Sequence, residues 1–316
     1  MADLPENAVE GARELVTSVA GPLQPSSTGL ERGWRLLDHP GLIIGALLLL
    51  SIFLLAALAG FVSPHDPLDQ DLSRRLIPPI WQADDRATWV HPLGTDQLGR
   101  DYLSRLMHGA RISLLIGLST MLISGLVGAG LGILAGFFGG RIDLAVSFLV
   151  TTRLSLPVVL VALAVVSLVG SSLTVVIAVL GFLLWDRFAV VLRSATQQVR
   201  SQEYITAARA IGCSNLRILL SEVLPNVMGP LIVVATLEVA HAILLESALS
   251  FLGLGVQPPT PSWGLMVAEA RGLMFFDPWL IALPGGALFV LVLAINLFGD
   301  GLRDLMAPQS RSVRDA

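Results

Sequence analysis

Long uncharged apolar runs alternate with shorter polar segments along most of the chain. The first run, Gly41 to Phe61, holds 21 residues without a charge, which is enough to cross about 30 Å of hydrocarbon as a helix. Five more apolar runs lie near 112–138, 143–170, 172–193, 227–252 and 278–299. The pattern therefore predicts an all-α membrane protein with six transmembrane helices, and an even number of spans places both termini on one side.

The polar segments divide the chain into consecutive parts. Residues 1–38 are rich in Gly, Pro and Ser without sustained periodicity, which predicts a loosely ordered tail. Ala57-Leu58-Ala59 resembles a signal-peptide cleavage site, but the apolar run is too long and starts too late, so we expect an uncleaved span. The expected parts are the tail at 1–38, a first helix at 39–62, a polar segment at 63–111, a core of spans at 112–301 with a loop at 194–226, and a second tail at 302–316.

The arginines favour a cytoplasmic location for both tails and for loop 194–226. That loop and the tails are rich in arginine, whereas 253–277 contains only Arg271. An excess of basic residues in short loops marks the cytoplasmic side of a membrane protein. Segment 63–111 also holds arginines, but a segment of that length weakens the rule.

Composition excludes several classes of function. The chain is 54% hydrophobic and only 14% charged, with a mean hydropathy of +0.75, whereas soluble domains carry about 25% charged residues. A net charge of −4 argues against a nucleic-acid partner, and the single cysteine, Cys213, cannot form an internal disulfide. The sequence has no lysine, which a phosphate-binding P-loop requires. Any ATP that drives this protein must therefore bind another polypeptide.

Small residues recur at every fourth position of the second apolar run. They are Ser124, Gly128, Gly132, Gly136 and Gly140. On a helix they form one smooth stripe, which allows a neighbouring helix to approach closely. The stripe therefore predicts a packing seam.

Loop 194–226 predicts two short helices joined at a glycine. Ser201 to Ile211 is expected to form the first helix, with Gly212 at the C′ position where φ is often positive. Ser214 caps the second helix, which runs toward Leu224 until Pro225 breaks or redirects the chain.

This loop has the composition of a docking surface. Ala207 and Ala208 have small side chains, so a partner could approach the backbone of the first helix closely on that face. Arg209 and Arg217 could contact the partner through their positive charges. The spacing of Ala208 and Gly212 also fits a DNA-binding helix-turn-helix, but the flanking spans leave no room for a third helix. A merely solvated connection is disfavoured because a loop this long usually has a function.

Ionisable residues inside apolar spans are functional candidates, because burying them is costly. Glu238 and His241 lie broadly toward one face of the fifth span, and two interpretations stay open for them: a polar lining of a substrate path, or hydrogen bonds to another subunit. For Glu246, which lies near the end of that span, a structural role is favoured. Asp186 and Arg187 lie near one end of the fourth span, where snorkelling explains at least Arg187.

The histidines do not predict a metal site or a catalytic set. His39, His65, His91, His108 and His241 lack the i, i+4 spacing of a helical metal site. No motif supports a Ser–His–Asp arrangement, so we expect a non-catalytic protein without a metal.

Several segments in order resemble one family. They are HPLGTDQLGRD at His91–Asp101, GGRID at Gly139–Asp143, EYITAARAIG at Glu203–Gly212, ESALSFLGLG at Glu246–Gly255, PPTPSWG at Pro258–Gly264 and NLFGDGLRD at Asn296–Asp304. Together they are similar to the C-type membrane subunit of the dipeptide, oligopeptide and nickel ABC importers, over about residues 40 to 304. Thr206 and Glu222 depart from the general motif of the loop that receives the ATPase.

The resemblance implies a type I ABC importer permease fold with a cytoplasmic coupling helix in loop 194–226. Ala207, Ala208, Arg209, Gly212, Arg217 and Pro225 would couple the chain to its ATPase. The implied partners are a homologous B-type permease subunit, two ATPase domains that bind ATP and Mg, an external substrate-binding protein and membrane lipid. The implied location is the bacterial inner membrane with both termini cytoplasmic, and the external segment 63–111 would include an amphipathic helix at Leu98–Arg111.

The implied cargo is a dipeptide or oligopeptide, on a path that could include Glu238 and His241. Nickel chelates or other small solutes are the alternative within the same family. An ion-coupled carrier acting alone would use Glu238 and His241 as relays, but six spans and a polar loop argue against it. A membrane-embedded enzyme lacks any convergent catalytic set.

Overall fold

A computed structural model describes residues 40–306, so the predicted tail at 1–38 and residues 307–316 of the second tail lie outside it. The described residues form helices and one isolated β-bridge, between Thr95 and Asp101. The helices are α1 Pro40–Val62, α2 Tyr102–Phe138, α3 Gly140–Leu154, α4 Val158–Val169, α5 Leu173–Leu183, α6 Trp185–Arg200, α7 Glu203–Ala210, α8 Asn215–Ile218, α9 Leu224–Phe251, α10 Trp263–Ala270 and α11 Trp279–Met306.

Five stretches of helix are long and apolar enough to cross a membrane: α1, α2, α5 with α6, α8 through α9, and α11. The number is six if α3 and α4 together count as one span. The prediction of one continuous helix near 143–170 is wrong, because α3 and α4 meet at 84°. Pro157 lies at this break, where its ring restricts the preceding residue and it has no N–H to continue the helix.

The start of α2 also differs from the expectation. The prediction of a separate amphipathic helix at Leu98–Arg111 is wrong, because α2 runs without a break from Tyr102 to Phe138 over 37 residues. The helix begins where the Asp101 carboxylate accepts a hydrogen bond from the backbone N–H of Ser104. No proline separates this first turn from the apolar run, and Gly109 is accommodated within the helix, so one helix continues through both.

The small-residue stripe of α2 packs against α6, as the spacing predicts. A Cβ atom on Gly128 would lie 2.1 Å from the Trp185 carbonyl oxygen, and one on Gly132 would lie 2.6 Å from that of Ala189. Gly136 makes a similar approach to Arg193. Gly140 is not part of the seam, because it lies beyond the end of α2 and starts α3.

We expect Gly132→Ala to destabilise the protein by about 1–3 kcal/mol, because the added methyl group meets backbone atoms that cannot move aside. Gly130→Ala is the matched control, since a Cβ at Gly130 meets nothing within 4 Å. In that variant the better helix propensity of alanine is expected to be neutral or to stabilise by up to about 1 kcal/mol. Thermal unfolding of the detergent-solubilised chain compares the two variants, and equal Tm values would contradict the seam.

The main apolar core lies where α2, α9, α10 and α11 meet near the start of α2. Trp263 is buried in α10, and its indole Nε1 donates to the Leu106 carbonyl oxygen at 2.8 Å. Glu246 in α9 is also buried there, and its carboxylate accepts hydrogen bonds from Ser250 at 2.7 Å and Ser262 at 3.1 Å. Because Ser262 caps α10, Glu246 joins α9 to α10, which fits the structural role predicted for it.

Candidate functional site

The first half of loop 194–226 is a short helix, α7, that ends at Gly212. Gly212 has a φ of +87°, and its N–H donates to the Arg209 carbonyl oxygen at 3.0 Å. The Cys213 N–H donates to the Ala208 carbonyl oxygen at 3.0 Å. These two bonds form a Schellman motif, so the local prediction of a glycine-terminated helix agrees with the structure.

The second half begins as predicted but does not end at Pro225. Ser214 caps α8, and a π-helical turn at Leu219–Val223 leads directly into α9. The prediction that Pro225 breaks the chain is wrong, because Pro225 lies in the first turn of α9. In the π-helical turn the Leu224 N–H donates to the Leu219 carbonyl oxygen, five residues earlier. This changed hydrogen-bond pattern accommodates a proline, which has no N–H to donate, without a break in the helix.

Buried apolar side chains fix loop 194–226 to the helices above it. Ile205, Ile218 and Val223 are each 0–1% exposed. They pack in one cluster with Phe137 at the end of α2 and Leu192 in α6. The loop is therefore packed against the α2–α6 pair through one shared apolar cluster.

The opposite side of the loop is unusually apolar for a polar segment. Ile211 is 81% exposed, Leu216 66% and Leu220 58%. Ala207 is also exposed, whereas Ala208 is half-buried. The sequence analysis did not single out Ile211, Leu216 and Leu220. They could have been recognised as large apolar residues isolated within a polar stretch of sequence.

The two predicted contact arginines of the loop, Arg209 and Arg217, have different surroundings. Arg209 places its guanidinium 5.1 Å from the centre of the Phe137 ring, a cation–π contact that links α7 to the end of α2. Arg217 is exposed and has no acidic partner among residues 40–306. Arg209 is likewise exposed and without an acidic partner among residues 40–306, so the charge of each arginine is available to a partner.

A cluster of ionisable side chains lies within two of the helices that could cross a membrane. Glu238 and His241 belong to α9, and Arg187 belongs to α6. The Glu238 side chain is 1% exposed, and its carboxylate lies 3.1 Å from an Arg187 guanidinium nitrogen and 3.4 Å from His241 Nδ1. Snorkelling alone does not describe Arg187, because its guanidinium also pairs with Glu238 across α6 and α9. The Arg187 side chain is nevertheless 54% exposed, so the pair faces an open space on one side.

Two further ion pairs join α6 to a neighbouring helix. Asp186 lies 3.6 Å from an Arg153 guanidinium nitrogen, and Asp143 pairs with Arg193 between α3 and α6. Such pairing is the usual condition for charged residues within membrane spans. These two pairs join α3 to α6, and the Arg187 side chain is the most exposed of the arginines in these three pairs.

Comparisons with known proteins agree with this architecture. Residues 128–312 match the family model "Binding-protein-dependent transport system inner membrane component", and residues 31–79 match "N-terminal TM domain of oligopeptide transport permease C". The di/tripeptide transport system permease protein DppC of Pseudomonas aeruginosa is 43% identical, over 90% of this chain and 93% of that protein. The dipeptide transport system permease protein DppC of Haemophilus influenzae is 38% identical, over 89% and 95%.

A solved structure shows the same fold. A chain of the MetNI methionine ABC transporter in an inward-facing conformation matches with a TM-score of 0.54 and 18% identity. The match covers 64% of this chain and 97% of that one. The predicted type I importer permease fold is thereby confirmed. The chain belongs to the family of binding-protein-dependent inner membrane transport components, and within it to the C-type permease subunits of ABC importers.

Proposed function

We propose that this chain and a homologous B-type subunit together form the path for short peptides in an ATP-driven importer of the bacterial inner membrane. The observation that carries the choice of peptides is the 43% identity to a di/tripeptide permease across nearly the full length of both chains. Because the sequence has no lysine, and hence no P-loop lysine, two partner ATPase domains bind the ATP and Mg. An external binding protein delivers the peptide.

Loop 194–226 is the proposed docking site for an ATPase domain. Its exposed apolar residues, including Ile211 and Leu216, suit a groove that excludes water, and Arg217 adds a charge beside them. Ala207 is small enough to let the groove approach the α7 backbone. Closure of the ATPase domains would move the loop, and the packed α2–α6 pair would move with it as a unit. Coupling of this kind requires that ATP and peptide favour different global states.

The proposed peptide path passes the group of Glu238, His241 and Arg187. A short peptide carries a free carboxylate, and a half-exposed guanidinium is a suitable partner for it. The buried Glu238 carboxylate holds the Arg187 side chain in place from the other side. The exposed part of the Arg187 guanidinium would therefore be the contact for the peptide carboxylate.

We expect Arg187→Gln to raise the KM for a dipeptide with a free carboxylate by about tenfold or more, because one charge-assisted hydrogen bond is worth about 1.5–3 kcal/mol. The same dipeptide with an amidated carboxyl end should show a much smaller change. The double variant Arg187→Gln with Glu238→Gln removes the unpaired buried carboxylate. If this double variant recovers normal uptake, the loss came from the buried charge and not from peptide recognition.

The proposed orientation, with both termini and loop 194–226 in the cytoplasm, predicts a labelling pattern. In a Cys213→Ser background, and with the chain expressed without the ATPase subunits that would cover Ile211, Ile211→Cys and Phe275→Cys each place one thiol at a site more than 80% exposed in the native chain. A membrane-impermeant maleimide added to intact spheroplasts should label Phe275→Cys at once and Ile211→Cys only after permeabilisation. The reverse labelling pattern would show that loop 194–226 lies outside the cytoplasm and would contradict the proposed orientation.

Reconstitution tests the function as a whole. Proteoliposomes that hold this chain, its B-type partner and the ATPase subunits should accumulate a radiolabelled dipeptide only with internal ATP and external binding protein. Vesicles with this chain alone should not. Uptake by the chain alone, driven by a pH gradient, would replace the proposal with an ion-coupled carrier. Uptake of nickel chelates in place of dipeptides would retain the ATP-driven importer and change its substrate.

A further inference from the structure

Segment 63–101, between α1 and α2, brings together three residues that are far apart in the sequence. His65 Nδ1 lies 3.7 Å from an Asp101 carboxylate oxygen, and His91 Nδ1 lies 2.8 Å from the same oxygen. The two imidazole rings are 4.6 Å apart between centres. The absence of i, i+4 spacing among the histidines gave no indication that His65 and His91 would meet.

We propose that His65, His91 and Asp101 bind a divalent transition metal ion, with Zn²⁺ as the reference ion. One donor atom from each residue lies within 4.8 Å of the others. Two imidazole nitrogens and one carboxylate oxygen are a common zinc donor set, and three protein ligands leave a fourth position for water. His91 and Asp101 are buried, whereas the His65 side chain is 35% exposed, so the open position faces solvent through His65.

An unsatisfied polar atom provides an independent reason for a ligand here. His65 Nδ1 is buried but has no hydrogen-bond partner among the described residues. The His91 side chain is only 7% exposed, and its Nδ1 faces the same Asp101 oxygen. A buried polar atom without a partner costs about 1–3 kcal/mol. A metal ion between the three residues gives His65 Nδ1 a partner and replaces the His91–Asp101 hydrogen bond with coordination of both groups.

The ion would fix the start of α2. One Asp101 oxygen faces the histidines, while the other accepts the Ser104 N–H at 2.8 Å and caps the helix. The His65 N–H in turn donates to the Ser104 hydroxyl at 3.1 Å. An ion bound to all three residues therefore joins the chain that follows α1 to the first turn of α2, and we expect it to raise the Tm of the folded protein.

Metal titration of the full-length chain in detergent, after treatment with a chelator, tests the proposal. We expect one Zn²⁺ per chain by isothermal titration calorimetry, and a rise in Tm when Zn²⁺ is added. His65→Ala should weaken binding by more than about 100-fold, since loss of even an outer partner of a metal ligand costs 10–100-fold. This variant leaves the Asp101 cap of α2 in place, and His65→Gln provides a second test if the alanine variant folds poorly.

His108→Ala is the matched control. His108 also lies near the start of α2, but its Nδ1 contacts the Ser104 carbonyl oxygen at 3.0 Å, away from the three ligands. It should bind Zn²⁺ like the native chain. Co²⁺ in place of Zn²⁺ should give the intense visible absorption of a four-coordinate site in the native chain and in His108→Ala only. Equal binding by His65→Ala and the native chain, or no stoichiometric binding by the native chain, would overturn the site.

Discussion

Replacing Gly212 with proline is expected to abolish ATP-driven uptake while the subunit still inserts into the membrane. Proline holds φ near −65°, whereas Gly212 has a φ of +87°. Proline also removes the N–H that donates to the Arg209 carbonyl oxygen. The Schellman motif that separates α7 from α8 is lost, and the exposed face around Ile211 and Leu216 changes its geometry. The apolar spans that direct insertion are unchanged.

The measurements are dipeptide uptake in vesicles, the amount of subunit in the membrane, and co-purification of the ATPase subunits. Ala208→Trp is a second test with the same expected loss, because Ala208 packs against the buried cluster that fixes the loop. Normal ATP-driven transport by either variant would contradict the role of loop 194–226.

Gly253→Pro is the matched control for backbone damage. Gly253 follows α9 with a φ of +84°, and the hydrogen bonds around it repeat those at Gly212: its own N–H donates to Ser250, and that of Leu254 to Leu249. A Cβ atom at either glycine meets nothing within 4 Å. The two variants therefore impose the same local strain at different places. Only Gly212→Pro should release the ATPase subunits from the purified complex.

Features with a local cause could be predicted from the sequence. The positive φ of Gly212, the Ser214 cap and the small-residue stripe of α2 follow from residue type and spacing along one stretch of chain, whereas the choice of α6 as the partner of the stripe does not. The spans were predictable for the same reason, since hydrocarbon thickness fixes their length. Pro157 was a visible break within its span, but the 84° angle between α3 and α4 depends on packing that the sequence does not display.

Pairings between distant segments could not be predicted. Arg187 near the start of α6 and Glu238 in α9 are 51 positions apart, and only the packing of the two helices brings them together. His65 and His91 lie in an irregular segment, where no helical or strand period indicates which side chains meet. The predicted break at Pro225 was wrong because the π-helical turn before it relieves the constraint that a proline normally imposes.

A buried network beside the start of α2 provides the second large expected effect. Asp96 and Glu269 surround Arg105, whose side chain is 1% exposed, and Arg100, which is 4% exposed. Arg105 pairs with Asp96 through one guanidinium nitrogen and with Glu269 through another, at 2.7 Å. Arg100 makes the same two connections, at 2.6 Å to Asp96 and 3.3 Å to Glu269. Two positive and two negative groups therefore compensate one another and join segment 63–101 to α10.

Arg105→Ala is expected to lower the free energy of unfolding by about 3 kcal/mol, since removing one partner of a buried ion pair costs about 3–5 kcal/mol. The lower end applies because Arg100 still neutralises part of the remaining negative charge. Arg105→Lys should lose a large part of the same energy, because a single ammonium cannot reproduce two directed contacts in a fixed fork. Thermal unfolding in detergent measures both variants, with Arg111→Ala as the control from the exposed side of the same helix. A Tm for Arg105→Ala equal to that of Arg111→Ala would show that the network contributes nothing net, and that apolar packing around Trp263 and Trp279 alone holds α10 in place.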